Sequence, residues 1–569
     1  MSTQPHSTTH APTDNAQVEN ILELFYRWER ERANEVFLRQ PYGNTWRNYT
    51  WAEVGQQARR IANGLRALNL PPQSNIGIIS KNCAHWIIND IAIGMSGHVS
   101  VPFYPNLNAE QLNHVLTHSQ CKALFIGKLD LANWEAMQDG IPQDVLCISY
   151  PQYPGNATIT NTAHTWDSWI EQYSPMRENY IPQAEDILTI VYTSGTTGNP
   201  KGVMYTWGAN ALGMHYTADF VQLSTENRYF SYLPLCHIAE RAVVQWAGMA
   251  SGGSISFAES LETFVQNLQD TAPTHFLAVP RIWKKFQSGV LNKMPQKRLN
   301  SLLMLPIISG LVKQKIQKGL GLHKAKVLYS GAAPIPASLI DWFKSIGIII
   351  QEGYAMSENM AICSFNPAND VRIGTVGTAL PGVELRIDPD TEEILMRAPW
   401  VMKGYYREPE MTRNTIEDGW LHTGDMGSID ADGYLRITGR VKDMFKTSKG
   451  KYIVPVPIEN EFGKDDFIEQ VCVAGLHTPQ PVALVVLSEI GQKAEKHLVE
   501  SRMSNLLEQI NSSLMDYQKL KQILIVKEAW TPENGILTPT LKIKRNKIEE
   551  RYGPWTEQVY ERSERVVWE

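Results

Sequence analysis

Short apolar runs alternate with helical segments between residues 75 and 126. The predicted strands and helices lie, in chain order, at residues 76–79, 84–95, 99–103, 109–117 and 123–126. Since two parallel strands need a long crossover connection, usually a helix, this alternation is typical of a parallel α/β sheet. Ligands of such open sheets bind at the carboxyl ends of the strands, so we expect the polar motifs of the chain to meet there.

Changes in composition along the chain predict its domain organisation. Residues 1–18 are polar and lack the apolar core of a signal peptide, so we expect a disordered tail. Residues 19–440 are predicted to form a large N-terminal domain of parallel α/β subdomains. Within it, residues 375–440 have short strands with frequent Gly, Asp and Pro, which predicts a β-rich subdomain. Residues 441–569 are numerous enough for a separate small α/β domain.

The composition argues against several classes of protein. Hydrophobic residues make up 43% of the chain and charged residues 20%, as in ordinary globular proteins. A net charge of −6 argues against a nucleic-acid partner. The six cysteines form no Cys-x-x-Cys pair, which argues against a zinc ribbon or redox motif and fits a reducing cytoplasm. No apolar run reaches the roughly 18 residues of a spanning helix.

A loop at residues 192–202 has the groups that a polyphosphate needs. It follows a β-branched apolar run at residues 187–192 and contains Thr and Ser hydroxyls, flexible glycines and Lys201. Its spacing excludes a Walker loop, because Gly198-Asn-Pro-Lys201 is followed by Gly202 rather than by Ser or Thr. On these residues alone the alternative is a surface turn rich in Thr and Gly.

Three further segments place polar or small residues after predicted strands. The strand predicted at residues 229–235 leads into His237, which is either a ligand-site residue or a structural histidine. Small residues at 331–333 follow another strand and would let a flat ring approach the backbone. An apolar strand at residues 348–350 leads into the polar cluster at 351–358.

The segment from Thr271 to Ile340 carries the strongest charge asymmetry of the chain. It contains no Asp or Glu, whereas Lys or Arg occurs at positions 281, 284, 285, 293, 297, 298, 313, 315, 318, 324 and 326. It encloses the apolar stretch Leu302–Val312, which is too short to cross a bilayer. Three interpretations remain open: a basic solvated face over a buried helix, a surface that binds anionic lipid, or an electrostatic guide for an anionic substrate.

Six motifs occur in order at residues 192–202, 331–334, 354–358, 420–425, 439–446 and 537–545. With them the sequence resembles the adenylate-forming superfamily, which includes acyl-CoA synthetases, firefly luciferase and peptide-synthetase adenylation domains. The segments 233–241 and 279–286 and the ending Leu537-Thr-Pro-Thr-Leu-Lys542 are most similar to the long-chain fatty acyl-CoA synthetase branch. The resemblance implies an adenylation domain up to residue 440 and a small mobile C-terminal domain beyond it.

The resemblance also implies a role for each motif residue. The ATP phosphates would be held by Thr193, Ser194, Gly195, Thr196, Thr197 and Lys201. Adenine would be enclosed by Gly331, Ala332, Ala333, Gln351, Glu352, Gly353, Tyr354 and Ser357. The ribose would be bound by Asp425 and Arg440, and Lys442 and Lys446 would lie at the hinge and along the phosphate path. Mg²⁺ would be bound by Glu358, Thr193 and Thr196. His237 would gate the acyl and thiol entrances. The catalytic Lys542 would contact the reacting carboxylate and the α-phosphate.

The implied activity is that of an acid-thiol ligase. A fatty acid and ATP would give acyl-AMP and pyrophosphate, and coenzyme A would then take the acyl group after rotation of the C-terminal domain. One alternative is a fatty acyl-AMP ligase that passes the acyl group to a carrier protein. Another is a non-catalytic nucleotide-binding or membrane-associated scaffold. The expected location is the cytoplasm, with peripheral membrane association through residues 281–326 as a further hypothesis.

Overall fold

The computed structural model describes residues 18–43, 45–160, 162–193, 200–476, 478–532, 534–538 and 542–569. The predicted tail, apart from its last residue, lies outside these residues. The first part of the chain comprises α1 (Ile21–Glu31), β1 (Val36–Tyr42), β2 (Thr45–Thr50), α2 (Trp51–Ala67), β3 (Asn75–Ile79), α3 (Ala84–Ser96), β4 (Val99–Phe103), α4 (Ala109–Ser119), β5 (Ala123–Ile126), α5 (Leu131–Met137), β6 (Leu146–Ser149), β7 (His164–Thr165) and α6 (Trp166–Gln172). The predicted alternation from residue 75 to residue 126 is therefore confirmed, element by element.

The middle of the chain supplies six strands of a nine-stranded sheet and two strands of an eight-stranded sheet. Its elements are β8 (Ile187–Thr193), β9 (Lys201–Thr206), α7 (Trp207–Thr217), β10 (Arg228–Ser231), α8 (Ile238–Glu240), α9 (Ala247–Ser251), β11 (Ser254–Phe257), α10 (Phe264–Thr271), β12 (His275–Leu277), α11 (Pro280–Lys293), α12 (Gln296–Leu303), α13 (Pro306–Gly319), β13 (Val327–Ser330), α14 (Ala337–Ser345), β14 (Gln351–Tyr354) and β15 (Ser364–Phe365). A π-helix, Arg241–Trp246, joins α8 to α9.

The remaining elements form the β-rich region and the C-terminal part. They are β16 (Thr378–Ala379), β17 (Glu384–Ile387), β18 (Glu393–Arg397), β19 (Gly404–Tyr405), α15 (Pro409–Thr415), β20 (Ile416–Glu417), β21 (Trp420–Ile429), β22 (Leu435–Arg440), β23 (Phe445–Lys446), β24 (Tyr452–Ile453), α16 (Pro455–Phe462), β25 (Ile468–Ala474), β26 (Val482–Leu487), α17 (Glu489–Lys493), α18 (Lys496–Ser512), β27 (Ile523–Val526), α19 (Arg545–Tyr560) and β28 (Val566–Trp568).

Two sheets of mostly parallel strands form the large N-terminal part. One has nine strands in the order β16-β15-β14-β13-β12-β10-β11-β1-β2, and the other has eight in the order β19-β9-β8-β4-β3-β5-β6-β7. A five-stranded sheet contains β17, β18, β20, β21 and β22, and the C-terminal part has its own sheet in the order β25-β26-β27-β28. The predicted fold class, α/β with a β-rich subdomain and a small C-terminal α/β unit, is confirmed.

Helix α3 crosses the core of the N-terminal part, and all 13 of its residues are buried. Such a helix is expected to be apolar on every side, yet α3 carries Asp90. The Asp90 carboxylate accepts two hydrogen bonds from Arg241, at 2.7 and 2.8 Å, and a third from Gln245 at 2.6 Å. Arg241 also donates to the Thr189 hydroxyl on β8 at 2.8 Å. The pair therefore ties α3 and β8 to the start of the π-helix.

Two sequence-based boundaries differ from the structure. The strand predicted at residues 229–235 ends at Ser231, because the Asn82 side chain donates to the Leu233 carbonyl at 2.6 Å and accepts from the Leu235 amide at 3.0 Å. The apolar run at residues 348–350 precedes β14 rather than lying in it. Within the described residues, no helix is long and apolar enough to cross a membrane.

Replacing Arg241 by methionine is expected to destabilise the protein strongly. The substitution leaves the Asp90 charge buried without its main partner, a change that typically costs roughly 3–5 kcal/mol. Arg241→Met should therefore lower the midpoint of chemical denaturation, and the double variant Asp90→Leu/Arg241→Met should recover part of the loss. Arg30→Met serves as the control, because the Arg30 side chain is 71% exposed. Equal midpoints for Arg241→Met and Arg30→Met would contradict a stabilising role for the pair.

Candidate active site

Asp425 lies at the centre of the candidate site and is held from two sides. Antiparallel pairing of β21 with β22 places Asp425 opposite Arg440, whose Nε donates to the Asp425 Oδ1 atom at 2.7 Å. The Tyr354 hydroxyl at the end of β14 donates to Oδ2 at 2.6 Å. Burial, with the nearby Asp425 charge, raises the pKa of Tyr354 well above its ordinary value, so its hydroxyl remains a donor. The orientation of this 5% exposed carboxylate is therefore fixed.

A second carboxylate, Glu358, is held by a residue that sequence reasoning missed. The Tyr405 hydroxyl donates to Glu358 Oε1 at 2.6 Å. Tyr405 reaches this position because β19 pairs with β9, with Tyr405 opposite Val203. The Lys201 ammonium lies 5.3 Å from the centroid of the Tyr405 ring. Pairing between segments two hundred residues apart leaves no periodic signal, so only the Gly404-Tyr405-Tyr406 sequence hinted at a turn or strand here.

The predicted phosphate loop joins two paired strands. Thr193, at the end of β8, is opposite Lys201, at the start of β9. The predicted phosphate-binding residues Ser194, Gly195, Thr196 and Thr197 lie outside the described residues. Desolvation and the nearby Lys442 charge lower the pKa of Lys201, while Glu358 and Glu408 act in the opposite direction. Lys201 thus lies where the charges of Lys442, Glu358 and Glu408 act together.

The predicted adenine segment combines close backbone contacts with a buried carboxyl group. A Cβ atom on Gly331 would lie 3.1 Å from the Gly353 carbonyl oxygen, and Ala332 has a left-handed backbone with φ of 65°. These residues and Ala333 follow β13, beside the β14 residues Glu352 and Gly353. Burial raises the pKa of Glu352 to about 8.

Gln351 and Ser357 contribute differently from the other predicted adenine residues. Gln351 is buried, and its side-chain amide donates to the Asn366 carbonyl at 2.8 Å, so its side chain supports the sheet. Ser357 is half-buried and begins a short 3₁₀ helix, Ser357–Asn359, that carries Glu358. The structure therefore places the backbone of β14 and the 3₁₀ helix at the same edge of the sheet.

His237 begins α8 directly after the turn that Asn82 holds. Its Nδ1 atom accepts a hydrogen bond from the Ala239 amide at 3.2 Å, which caps the helix and fixes the ring. Burial, with a smaller effect of the Lys542 charge, lowers the pKa of His237 to about 4. The imidazole is therefore neutral near pH 7. Sequence reasoning left its role open and gave no sign that Asn82 would hold it.

Lys542 comes from the C-terminal part and reaches the same site. The backbone amide of Thr538 donates to the Lys542 carbonyl at 2.8 Å, which closes the base of the loop that carries it. Lys542 is an exposed residue. Desolvation by the neighbouring protein atoms is nevertheless the main cause of its lowered pKa, with Arg440 acting in the same direction and Asp425 and Glu358 opposing it. An ammonium from the C-terminal part thus faces both carboxylates.

Lys442 and Lys446 lie where the N-terminal part continues into the C-terminal part. Both are exposed, and the Lys446 ammonium lies 5.4 Å from the centroid of the Tyr452 ring. Asp443, beside Lys442, is 3.4 Å from Arg545, which also bonds Glu459 at 2.6 Å. Arg545 follows Lys542 by three residues, so this contact connects the Lys542 loop to the junction. The structure brings Lys442 close to Lys201.

Glu358 and Thr193 could bind a hard cation such as Mg²⁺ if phosphate and water supplied its other ligands. Within the described residues, no group of three or more His, Cys, Asp or Glu side chains could hold a metal ion. Mg²⁺ sites often use only one or two carboxylates, with phosphate and water as the other ligands. A carboxylate has two acceptor oxygens, so Glu358 can bind such an ion while Tyr405 orients it.

Two family models match most of the chain. Residues 25–406 match the AMP-binding enzyme, and residues 442–564 match the AMP-binding enzyme C-terminal domain. The chain is 28% identical to the long-chain-fatty-acid–CoA ligase FadD15 of Mycobacterium bovis, with 97% of this chain and 98% of that relative covered. It is 28% identical to the peroxisomal long chain acyl-CoA synthetase 6 of Arabidopsis thaliana, with 90% and 81% covered.

A crystal structure of the anthranilate CoA ligase AuaEII in complex with anthranoyl-AMP has the same fold. The TM-score is 0.75 at 21% sequence identity, and the match covers 94% of this chain and 97% of that one. The likeness therefore includes both the large N-terminal part and the small C-terminal part.

The ionisation of His237 provides a test of how close Lys542 lies. Removing the Lys542 charge should raise the pKa of His237 from about 4, and the rise should be partial because burial is the larger cause. NMR titration of ¹³C-labelled histidine should show this rise in the His237 pKa in Lys542→Met. The His237→Gln variant assigns the His237 signal. Lys446→Met should leave the titration unchanged. A His237 pKa that is the same in all variants would mean that Lys542 lies elsewhere in solution.

Proposed function

The chain belongs to the AMP-binding enzyme family, and we propose that it is an ATP-dependent acyl-CoA ligase that activates a fatty acid. The observation that carries this proposal is the position of Lys542, whose charge faces Asp425 and Glu358 from another part of the chain. A cation there can neutralise an anionic acid as it approaches a nucleotide. The names of the two relatives, a long-chain-fatty-acid–CoA ligase and a long chain acyl-CoA synthetase, support the choice of acid and thiol.

In the first half-reaction, a carboxylate oxygen of the acid attacks the α-phosphorus of ATP. The new oxygen–phosphorus bond forms as the bond to the β-phosphate oxygen breaks, which gives acyl-AMP and pyrophosphate. Lys542 would offset the charge on the carboxylate and α-phosphate, an effect commonly worth about 10²–10³ in rate. Lys201 would bind the departing phosphates. Catalysis here is mainly positioning and charge neutralisation.

The remaining residues would hold ATP in place. Asp425, fixed by Tyr354 and Arg440, is suited to accept hydrogen bonds from two ribose hydroxyls. Gly331 has no side chain, which would let the flat face of adenine approach the backbone at the end of β13. Glu358, with the hydroxyls of Thr193 and Thr196, would hold Mg²⁺, which would supply further neutralisation of phosphate charge.

In the second half-reaction, the coenzyme A sulfur attacks the acyl carbonyl carbon. The carbon–sulfur bond forms, the bond to the AMP oxygen breaks, and AMP leaves. We propose that the C-terminal domain first rotates about Lys442, which withdraws Lys542 and opens a path for the thiol. Lys442 is exposed and lies between β22 and β23, at the junction of the two parts of the chain, and His237 beside the site would be neutral near pH 7.

A screen of acids tests the proposal directly. Purified protein, ATP and Mg²⁺ are mixed with fatty, aryl or short acids, and both pyrophosphate and thioester are measured with and without coenzyme A. We expect release of pyrophosphate with long or medium fatty acids and acyl-CoA only when coenzyme A is present. Pyrophosphate release without any thioester would favour a fatty acyl-AMP ligase, and the absence of both products would favour a non-catalytic scaffold.

Lys542→Ala should separate the two half-reactions. We expect acyl-AMP formation to fall by about 10²–10³, since the charge at the reacting centre is lost. Thioester formation from supplied acyl-AMP should largely survive, because Lys542 is withdrawn in that step. Lys544→Ala, on the same loop, is the control and should affect neither. Equal losses in both half-reactions for Lys542→Ala would contradict the proposed division of roles.

Tyr405→Phe should weaken the response to Mg²⁺. The variant removes the hydrogen bond to Glu358, and bonds to charged groups contribute about 1.5–3 kcal/mol. The Mg²⁺ concentration for half-maximal pyrophosphate release is expected to rise about tenfold, which corresponds to ~1.4 kcal/mol. The neighbouring Tyr406 donates at 3.3 Å to Gln120, far from Glu358, so Tyr406→Phe should behave like the unaltered protein. Identical Mg²⁺ curves for both variants would remove Tyr405 from the site.

A further inference from the structure

The α12–α13 hairpin exposes an unusual concentration of large apolar side chains. Sixteen such side chains are exposed in the described part of the chain, and five of them fall within residues 304–311. They are Met304, Leu305, Ile307, Ile308 and Leu311, exposed by 81, 46, 85, 40 and 65%. Contiguous exposed apolar groups usually mark an interaction site, whereas scattered ones need no explanation. This group, named here the apolar tip, therefore requires a partner.

The two sides of α13 show which residues face outward. Ile316 is buried, and Gln317 donates to the Ile346 and Gly347 carbonyls at 3.1 and 3.2 Å, so this side lies against the end of α14. Ile307 and Leu311, four residues apart, lie on one exposed stripe that continues to Lys315 and Lys318. Of the three interpretations left open by the sequence, a basic face over a buried apolar helix is therefore excluded for this part of α13.

Basic residues surround the apolar tip. Residues 271–340 contain eleven of the 53 Lys and Arg residues of the chain and none of its 59 Asp and Glu residues. Lys297 and Arg298 on α12, with Lys315 and Lys318 on α13, are all exposed. In the described part of the chain, the one salt bridge recorded for a basic residue of this segment joins Arg281 to Glu469 at 3.4 Å. The positive charge around the tip is thus uncompensated by the protein.

We propose that the apolar tip and its basic surround form a docking surface for an anionic lipid bilayer. Apolar side chains on an amphipathic helix can enter the boundary between headgroups and acyl chains, while Lys and Arg bind the lipid phosphates. A membrane satisfies both needs with one partner, because its surface is negative and its interior is apolar. The proposal concerns a surface outside the candidate active site and does not rest on the proposed reaction.

A second copy of the chain fits less well. The chain as a whole is acidic, so electrostatic attraction to the basic segment exists. The other exposed large apolar side chains, however, are dispersed over α5, α10, α17, α18, β24 and several loops, and no second group of five in so short a segment occurs among the described residues. A second copy could therefore attract the basic residues, but it would offer no comparable apolar surface for the apolar tip to pack against.

Vesicle flotation of the full chain, without ATP or coenzyme A, tests the proposal. We expect binding to vesicles of mixed phosphatidylglycerol and phosphatidylcholine, weaker binding as salt rises, and little binding to pure phosphatidylcholine. Lys315→Ala/Lys318→Ala should weaken binding on the order of twentyfold, at about fivefold for each lysine. Ile307→Ser/Leu311→Ser should weaken it by at least about tenfold, because two apolar side chains no longer leave water.

Controls distinguish docking from a general effect of surface change. Leu261→Ser removes an 86% exposed apolar side chain outside the tip, and Lys493→Ala removes a lysine that is 80% exposed on α17. Both should bind vesicles like the unaltered protein, and all variants should keep its circular dichroism spectrum and thermal midpoint. Equal binding to neutral and anionic vesicles, or no binding by the folded protein, would overturn the proposal. Self-association lost in Ile307→Ser/Leu311→Ser without vesicle binding would assign the surface to a second copy instead.

Discussion

The charge of Lys542 connects two parts of the chain that fold around separate sheets. Its ammonium faces Asp425 and Glu358, and each of these carboxylates is oriented by a tyrosine hydroxyl, Tyr354 in one case and Tyr405 in the other. The lowered pKa of Lys542 reflects desolvation by neighbouring protein and the nearby Arg440 charge. A cation beside two fixed carboxylates, partly desolvated by neighbouring protein, is suited to charge neutralisation, because interactions strengthen as the local dielectric falls.

In the N-terminal part, side chains from the core hold the backbone around His237 in place. The Asp90–Arg241 pair joins α3 and β8 to the π-helix that follows His237, and Asn82 fixes the preceding turn. π-Helical turns are rare and frequently occur at functional sites. A buried ion pair is weak evidence for stability, since apolar replacements often match it. Here its geometric effect is clear: the backbone on both sides of His237 is held by side chains from other elements.

Sequence reasoning identified what depends on local pattern. Alternating strands and helices from residue 75 follow from periodicity. The roles predicted for Asp425, Arg440 and Lys542 rest on a family resemblance carried by ordered motifs, and they stay predictions. Sequence reasoning missed Tyr405 and Asn82, whose roles arise from pairing and contacts between distant segments. It also left the apolar stretch near residue 307 ambiguous, because amphipathic helices with basic residues occur both over cores and at surfaces. Exposure, which the fold alone decides, shows that this stretch lies at the surface.

The relative position of the two domains in different ligand states tests the central claim most directly. Spin labels at Leu261→Cys and Met515→Cys, which are 86 and 64% exposed, report this distance by pulsed electron resonance once the half-buried Cys147 is replaced by Ser. We expect one distance distribution with ATP and a non-reactive analogue of the acid, and a clearly displaced one with AMP and coenzyme A. An unchanged distribution in every ligand state, while both products form at normal rates, would contradict an active site that Lys542 enters and leaves.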